Sequence, residues 1–252
     1  MKRLLVALMA LLLLGVMATP SWASTPAIPG EPTDSTFLIK DAIPHINTLW
    51  SQAPLNNPYP GQPRGGIFYY HPAGSPNYNT ACGATTSLPS NAFFCPNGVD
   101  IYFDTTWTDA LIQRFASDAG TGDYGDGAVL YVLAHEWGHY VQSIQKWPYD
   151  EIAKHKAAPG GTAKPLELGA DCLAGIGIKY LEKIRYTDIK DAAEAFKATL
   201  ALGDFDYTNV NHHGTPAERF HAIRRGYFDY SLQTCHNVFD EAVASEGGPP
   251  SK

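Results

Sequence analysis

The sequence predicts an α+β domain in which a small twisted sheet lies over one long helix carrying His135 and His139, with further helices toward the C-terminus. Three observations carry that prediction. Residues 66–71 (G-I-F-Y-Y-H) and 99–104 (V-D-I-Y-F-D) are short, aromatic and β-branched, which is strand composition. Residues 128–134, just before His135, are apolar, as in a helix buried on most sides. Beyond residue 165, apolar residues recur at helical spacing.

The first 23 residues stand apart from the fold. Lys2 and Arg3 precede an apolar run over residues 4–18, and Ser21-Trp22-Ala23 has the small-x-small pattern of a cleaved signal peptide. The run falls short of the ~18 residues of a spanning helix, so cleavage is expected, with no stable membrane insertion afterwards. Residues 24–34 read as a flexible tether, 35–245 as one domain and 246–252 as a disordered tail. Within the domain, residues 37–50 read as a helix that Pro44 kinks or starts. Residues 53–65 form a Pro/Asn/Gly loop, and 106–119 a second helix. Asp126 is a candidate N-cap for a helix over 127–146, which Pro148 stops. Helices follow at 165–184 and 188–202. Thr215-Pro216-Ala217-Glu218 has the capping pattern of another that begins at Pro216.

Without Lys2 and Arg3 the chain holds 16 basic and 25 acidic residues, a formal balance of −9. That balance argues against nucleic acid or an anionic membrane surface as the main partner. All four cysteines lie beyond the signal, and an even count in an exported chain reads as two disulfides. Cys82 and Cys95 bracket a short Gly/Ser/Pro loop and are paired on that ground, which leaves Cys172 for Cys235.

His135-Glu136-Trp137-Gly138-His139 is the sharpest local signal. Two histidines four apart project from one helix face and can reach one tetrahedral zinc, expected as one Zn2+ per chain. Zinc lowers the pKa of a bound water toward ~7, so Glu136 can take its proton, direct the attack and deliver the proton to the leaving nitrogen. Three ionisable groups in an apolar helix would otherwise cost several kcal/mol. A third ligand is needed. A further histidine six residues past His139 is excluded, because Gln145 stands there. Leu166-Glu167-Leu168-Gly169-Ala170-Asp171 instead supplies Glu167 as ligand, with Asp171 on the same face to accept a hydrogen bond from an imidazole, His135 being the expected partner.

Several motifs stand in register along the chain: T-A-C-G-A from Thr80, F-F-C-P-N-G-V-D-I-Y-F-D from Phe93, L-A-H-E-W-G-H-Y-V-Q from Leu133, L-E-L-G-A-D-C-L-A-G from Leu166 and H-G-T-P-A-E-R from His213. In these the sequence resembles the bacterial neutral zinc metallopeptidase family, within the zincins that use two histidines and a glutamate. The resemblance implies a zincin-like fold, zinc ligands at His135, His139 and Glu167, and a base at Glu136. Gly169 departs from it, standing where family members more often carry a larger polar residue. His213 with Arg219 six residues later is similar to a pair in the CAAX prenyl endopeptidases. That likeness implies a donor from His213, oriented or assisted by Arg219, for the developing oxyanion; His212 is the rival for this place.

The function expected is that of a secreted zinc peptidase, periplasmic or extracellular, acting on a peptide or protein that pairs with an edge strand. Tyr69, Tyr70 and Phe103 are candidate walls of its cleft. The alternative from another class is a catalytically inert secreted module whose zinc staples a binding or structural domain.

Overall fold

A computed structural model describes residues 34–51, 62–70, 78–85, 90–117, 125–147 and 161–246. The expected signal, most of the tether, most of the 53–65 loop and most of the tail lie outside the described residues. In chain order the elements are α1 (Ser35–Ser51), β1 (Gly66–Tyr70), β2 (Asn79–Thr80), β3 (Gly83–Ala84), β4 (Ala92–Cys95), β5 (Asp100–Asp104), α2 (Thr105–Ser117) and α3 (Asp126–Ile144). They continue with α4 (Lys164–Lys183), α5 (Ile189–Leu202), α6 (Pro216–Asp229) and α7 (Leu232–Ser245). The class is α+β, as the sequence predicts.

Helix α3 is buried at every position of residues 127–138 because α1, α2, α4, α5 and β4 all pack around it. A helix enclosed on all sides needs no polar face, which explains its unbroken apolar run. Asp126 is the first helical residue and not the cap. Gly125 caps in a left-handed conformation at φ 77°, and the carboxylate of Glu194 on α5 accepts from the N–H groups of Gly125 (3.1 Å) and Gly127 (3.0 Å). A carboxylate at a helix N-terminus satisfies orphan donors and complements the dipole. This one comes from a distant helix.

Helix α1 runs unbroken through Pro44, which is exposed, so water can serve the backbone groups the ring leaves unpaired. The three-stranded sheet has the order β1-β5-β4, with β1 parallel and β4 antiparallel to β5. Strand β4 falls in the segment the sequence reading leaves as a cysteine loop. One cause is legible: the four residues Ala-Phe-Phe-Cys are too few for alternation to show. Strand β5 is central, so the sheet edge beside α3 is β4, not either of the two predicted strands.

Two disulfides brace this frame. Cys82–Cys95 ties the β2–β3 turn to β4, and Cys172–Cys235 ties α4 to α7. Helix α7 extends the expected helices by one. Its signal is the helix-spaced set Cys235, Val238, Phe239, Ala242 and Val243, all buried. Close helix crossings depend on small residues. A Cβ on Gly138 would meet the Ala170 carbonyl oxygen at 3.0 Å, and one on Gly226 would meet that of Cys172 at 1.8 Å. Gly138, between the two histidines, thus lets α4 approach α3 closely enough for its acidic face to reach them.

Candidate metal centre

Helices α3 and α4 bring His135, His139 and Glu167 together, with one ligand atom from each within 4.8 Å of the others. His135 Nε2 lies 3.2 Å from Glu167 Oε2, and His139 Nε2 lies 3.6 Å from Glu167 Oε1. Zinc bonded at ~2.0–2.2 Å in tetrahedral geometry holds its ligand atoms about 3.4 Å apart. The donor set therefore fits that ion in spacing as well as in chemistry.

Both imidazoles are fixed by their other nitrogen. His135 Nδ1 donates to Asp171 Oδ1 (2.8 Å), and His139 Nδ1 donates to Gln142 Oε1 (2.9 Å). The Gln142 amide is itself set by donation from its Nε2 to the Leu166 carbonyl (2.8 Å), which turns its oxygen toward His139. Each Nε2 is thereby turned toward Glu167, the nitrogen that a metal would take in exchange for its proton. Asp171, wholly buried, also accepts from the Tyr131 hydroxyl (2.5 Å) and from Arg219 Nε (2.8 Å) and Nη2 (3.0 Å).

The electrostatics follow from this packing. Burial works against charge on His135, but hydrogen bonds to Asp171 and then Glu167 outweigh it and bring its pKa up to about 10. His139 is raised as well, burial being outweighed chiefly by Glu167. Burial would raise Glu167, yet His139 and then His135 hold it well below the carboxylate range. Asp171 is lowered to about 2, burial being overcome first by Arg219 and then by His135. Surroundings that draw protons onto two imidazoles also draw a divalent cation. Glu136 differs from its neighbours. Its pKa is raised, mainly by burial, while the Phe94 N–H on the outer edge of β4 donates to its carboxylate.

His135, Glu136, His139 and Glu167 line a cavity of about 410 Å3 whose walls include Phe93, Phe94 and Trp107. That volume suits a small ligand or a few side chains. Tyr69, Tyr70 and Phe103 do not line it. Tyr69 and Phe103 stack on one another in or against the core, and the buried Tyr70 hydroxyl donates to the Asn91 carbonyl (3.3 Å). His213 lines the cavity, close enough to Glu167 to help lower its pKa. His212 is buried beside the wall, with its Nδ1 against Asp204 and its ring 5.2 Å from Tyr207. Arg219 lines the same cavity. Its guanidinium is engaged by Asp171, Tyr131 (2.7 Å) and the Leu202 carbonyl (2.9 Å), so its link to the centre runs through Asp171 and His135.

Gln142 and Tyr131 are the members that sequence reasoning missed. A signal existed for both. Tyr131 precedes His135 by four and Gln142 follows His139 by three, so each polar residue shares a face with a histidine in an otherwise apolar helix.

Comparison with known proteins places this geometry in a family setting. A family model described as "Putative neutral zinc metallopeptidase" matches residues 75–238. The chain is similar to the uncharacterized protein YpfJ of Escherichia coli K12, 28% identical over 177 residues that make up 65% of this chain and 59% of that protein. It is also similar to the uncharacterized protein Rv2575 of Mycobacterium tuberculosis H37Rv, 33% identical over 138 residues, 50% of this chain and 44% of the relative. The chain thus spans less than two thirds of the length of either relative. No solved structure matches.

Proposed function

This chain belongs to the neutral zinc metallopeptidase family, and we propose that it is an exported peptidase with one zinc per chain at His135, His139 and Glu167 and with Glu136 as catalytic base. The observation that carries this reading is the convergence of those three ligands, each imidazole oriented from behind, on a cavity that Glu136 also lines. Zinc held there supplies Lewis acidity for the carbonyl and the attacking water. Glu136 takes the proton from that water and later gives it to the leaving nitrogen. A carboxylate whose burial raises its pKa toward the working pH serves better in both directions than an ordinary one.

Strand β4 has β5 on one side and the cavity on the other, where Asn91, Ala92, Phe93 and Phe94 form the wall. An extended peptide paired with this edge would lay a backbone carbonyl near Glu136. His213, at the same cavity, is the candidate donor to the developing oxyanion. Arg219, with Asp171, keeps His135 in place. Export is supported by the two disulfides, which persist in oxidising compartments, and by the signal-like first 23 residues; the destination is a periplasm or the cell exterior.

A zinc that only staples a fold closes its fourth position with cysteine or histidine. Among the described residues the ligand group contains neither cysteine nor a third histidine, and Cys172 is bonded to Cys235. The test is metal content by elemental analysis of the mature protein and of Glu136→Gln, with both offered casein. One zinc in each, with cleavage by the unmutated protein alone, is the expected result. Zinc in both with no cleavage by either would favour the inert module, and no metal in either would overturn the assignment.

A further inference from the structure

Apart from His213, the loop of residues 203–214 has no role in the chemistry above, yet it is anchored to the cavity wall at three places. Leu202, just before it, and His213, near its end, both line the cavity; midway, the Val210 carbonyl accepts from the N–H of Ala163, another wall residue (2.9 Å). Between these anchors the loop turns apolar side chains outward. Phe205 is 68% exposed, Tyr207 59% and Val210 50%. Single exposed apolar residues are ordinary, but three within six positions of one loop on a cavity rim form a patch.

The backbone that presents them is tightly held. Asp204 N–H donates to the Gly214 carbonyl (3.0 Å) and closes the base of the loop. The Asp204 carboxylate accepts from the N–H groups of Asp206 (3.0 Å) and His213 (3.0 Å) and from the His212 ring. Asn209 N–H donates to the Asp206 carbonyl (3.0 Å), and His212 N–H to that of Asn209 (2.9 Å). Gly214 adopts φ +102°, and a Cβ there would come within 2.9 Å of Leu168 Cδ2. A surface organised in advance loses little entropy on binding, and aromatic side chains are efficient anchors.

From this arrangement we infer that Phe205, Tyr207 and Val210 form a specificity platform that grips bulky apolar side chains of an unfolded polypeptide beside the catalytic cavity. The inference rests on the peptidase reading and names what that site selects. The occupant is an extended chain because the loop that carries these side chains is anchored on the wall of a cavity that the β4 edge also lines. It is apolar and not acidic because residues 203–214 contain two aspartates and no lysine or arginine. Chains that expose such residues are unfolded or damaged proteins, whose cores have opened.

The test uses the full mature chain carrying Glu136→Gln, so that binding is read without turnover. Two fluorescent peptides serve as probes: a Gly/Ser peptide bearing a Phe-Leu-Phe segment, and the same peptide with serine at those three positions. Fluorescence anisotropy should show the apolar peptide bound more tightly. Adding Phe205→Ser, Tyr207→Ser and Val210→Ser should weaken its binding by about tenfold or more, the loss expected when aromatic anchors leave an interface. Thermal unfolding should stay within a few degrees of the parent, since these side chains are exposed. Equal affinity for the two peptides, or equal affinity of parent and triple variant for the apolar one, would overturn the platform. Failure of the peptidase reading shows elsewhere, as absence of cleavage by the protein with Glu136 intact.

Discussion

Replacing Asp171 by asparagine removes one charge from a site where four donors meet. His135 Nδ1, the Tyr131 hydroxyl and two nitrogens of Arg219 all point at this carboxylate, and asparagine would turn an NH2 toward at least one of them. Arg219, only 5% exposed, would keep a buried charge without its counter-ion. Two routes give a magnitude. Breaking a buried ion pair from one side costs about 3–5 kcal/mol. The drop in the Asp171 pKa from 3.8 to about 2 corresponds to roughly 2 kcal/mol at 1.36 kcal/mol per unit. Because that pKa is depressed, the contribution is complete above about pH 4 and is lost as pH falls toward 2. We expect Asp171→Asn to lose about 3 kcal/mol near neutrality, which for a domain of this size lowers Tm by about 6–12 °C. With His135 no longer held from behind, zinc affinity should fall about 10- to 100-fold. Thermal unfolding in the presence of a chelator reads the first effect, and competition against a chromophoric zinc chelator the second. Adding Arg219→Gln should restore part of the stability, since the stranded charge goes with it. If Asp171→Asn melts within about 2 °C of the parent and binds zinc equally well, the buried network does not hold the metal site together.

Three further outcomes test other parts of the structure. Gly169→Ala would stabilise an exposed helix by about 1 kcal/mol. Here its Cβ would fall 2.6 Å from both Gln142 Nε2 and Trp147 Cζ3, so chemical denaturation should show a net loss of about 1–3 kcal/mol, and displaced Gln142 should weaken zinc binding. The Asp191 carboxyl is raised to about 7, by burial and then by the charges of Asp126 and Asp188. The folded protein therefore holds a proton that the unfolded chain has released, and stability should decline as pH rises from about 4 to about 7. Asp191→Asn, which can still accept from the Asp188 N–H, should flatten that decline in unfolding curves taken across the range. His213→Phe should lower kcat on casein by about 100-fold or more, with one zinc retained; unchanged turnover would remove His213 from the mechanism.

The chemistry of the centre was legible because helical periodicity is a local property. His135 and His139 stand four positions apart, as do Glu167 and Asp171, so each pair shares a face whatever the rest of the chain does. The Thr215 capping box was legible for the same reason, its partner Glu218 lying only three residues away. Gln142 and Tyr131 obeyed the same rule, but polar residues on a buried helix have many possible partners, and spacing alone does not choose among them.

Other features depend on groups far apart in the chain. Glu194 caps α3 from 67 and 69 residues away, so the local candidate, Asp126, looked like the cap. Arg219 reaches Asp171 across 48 residues, a partnership that no local pattern announces. The edge strand over the site is four residues long, and only its pairing with β5 defines it. By itself, then, the sequence determined the fold class and the local geometry of the candidate metal ligands and base. The tertiary structure alone decided which carboxylates and amides orient them, which sheet edge faces them and which loop borders the cavity, because those contacts arise only when helices packed through Gly138 and Gly226 bring distant segments together.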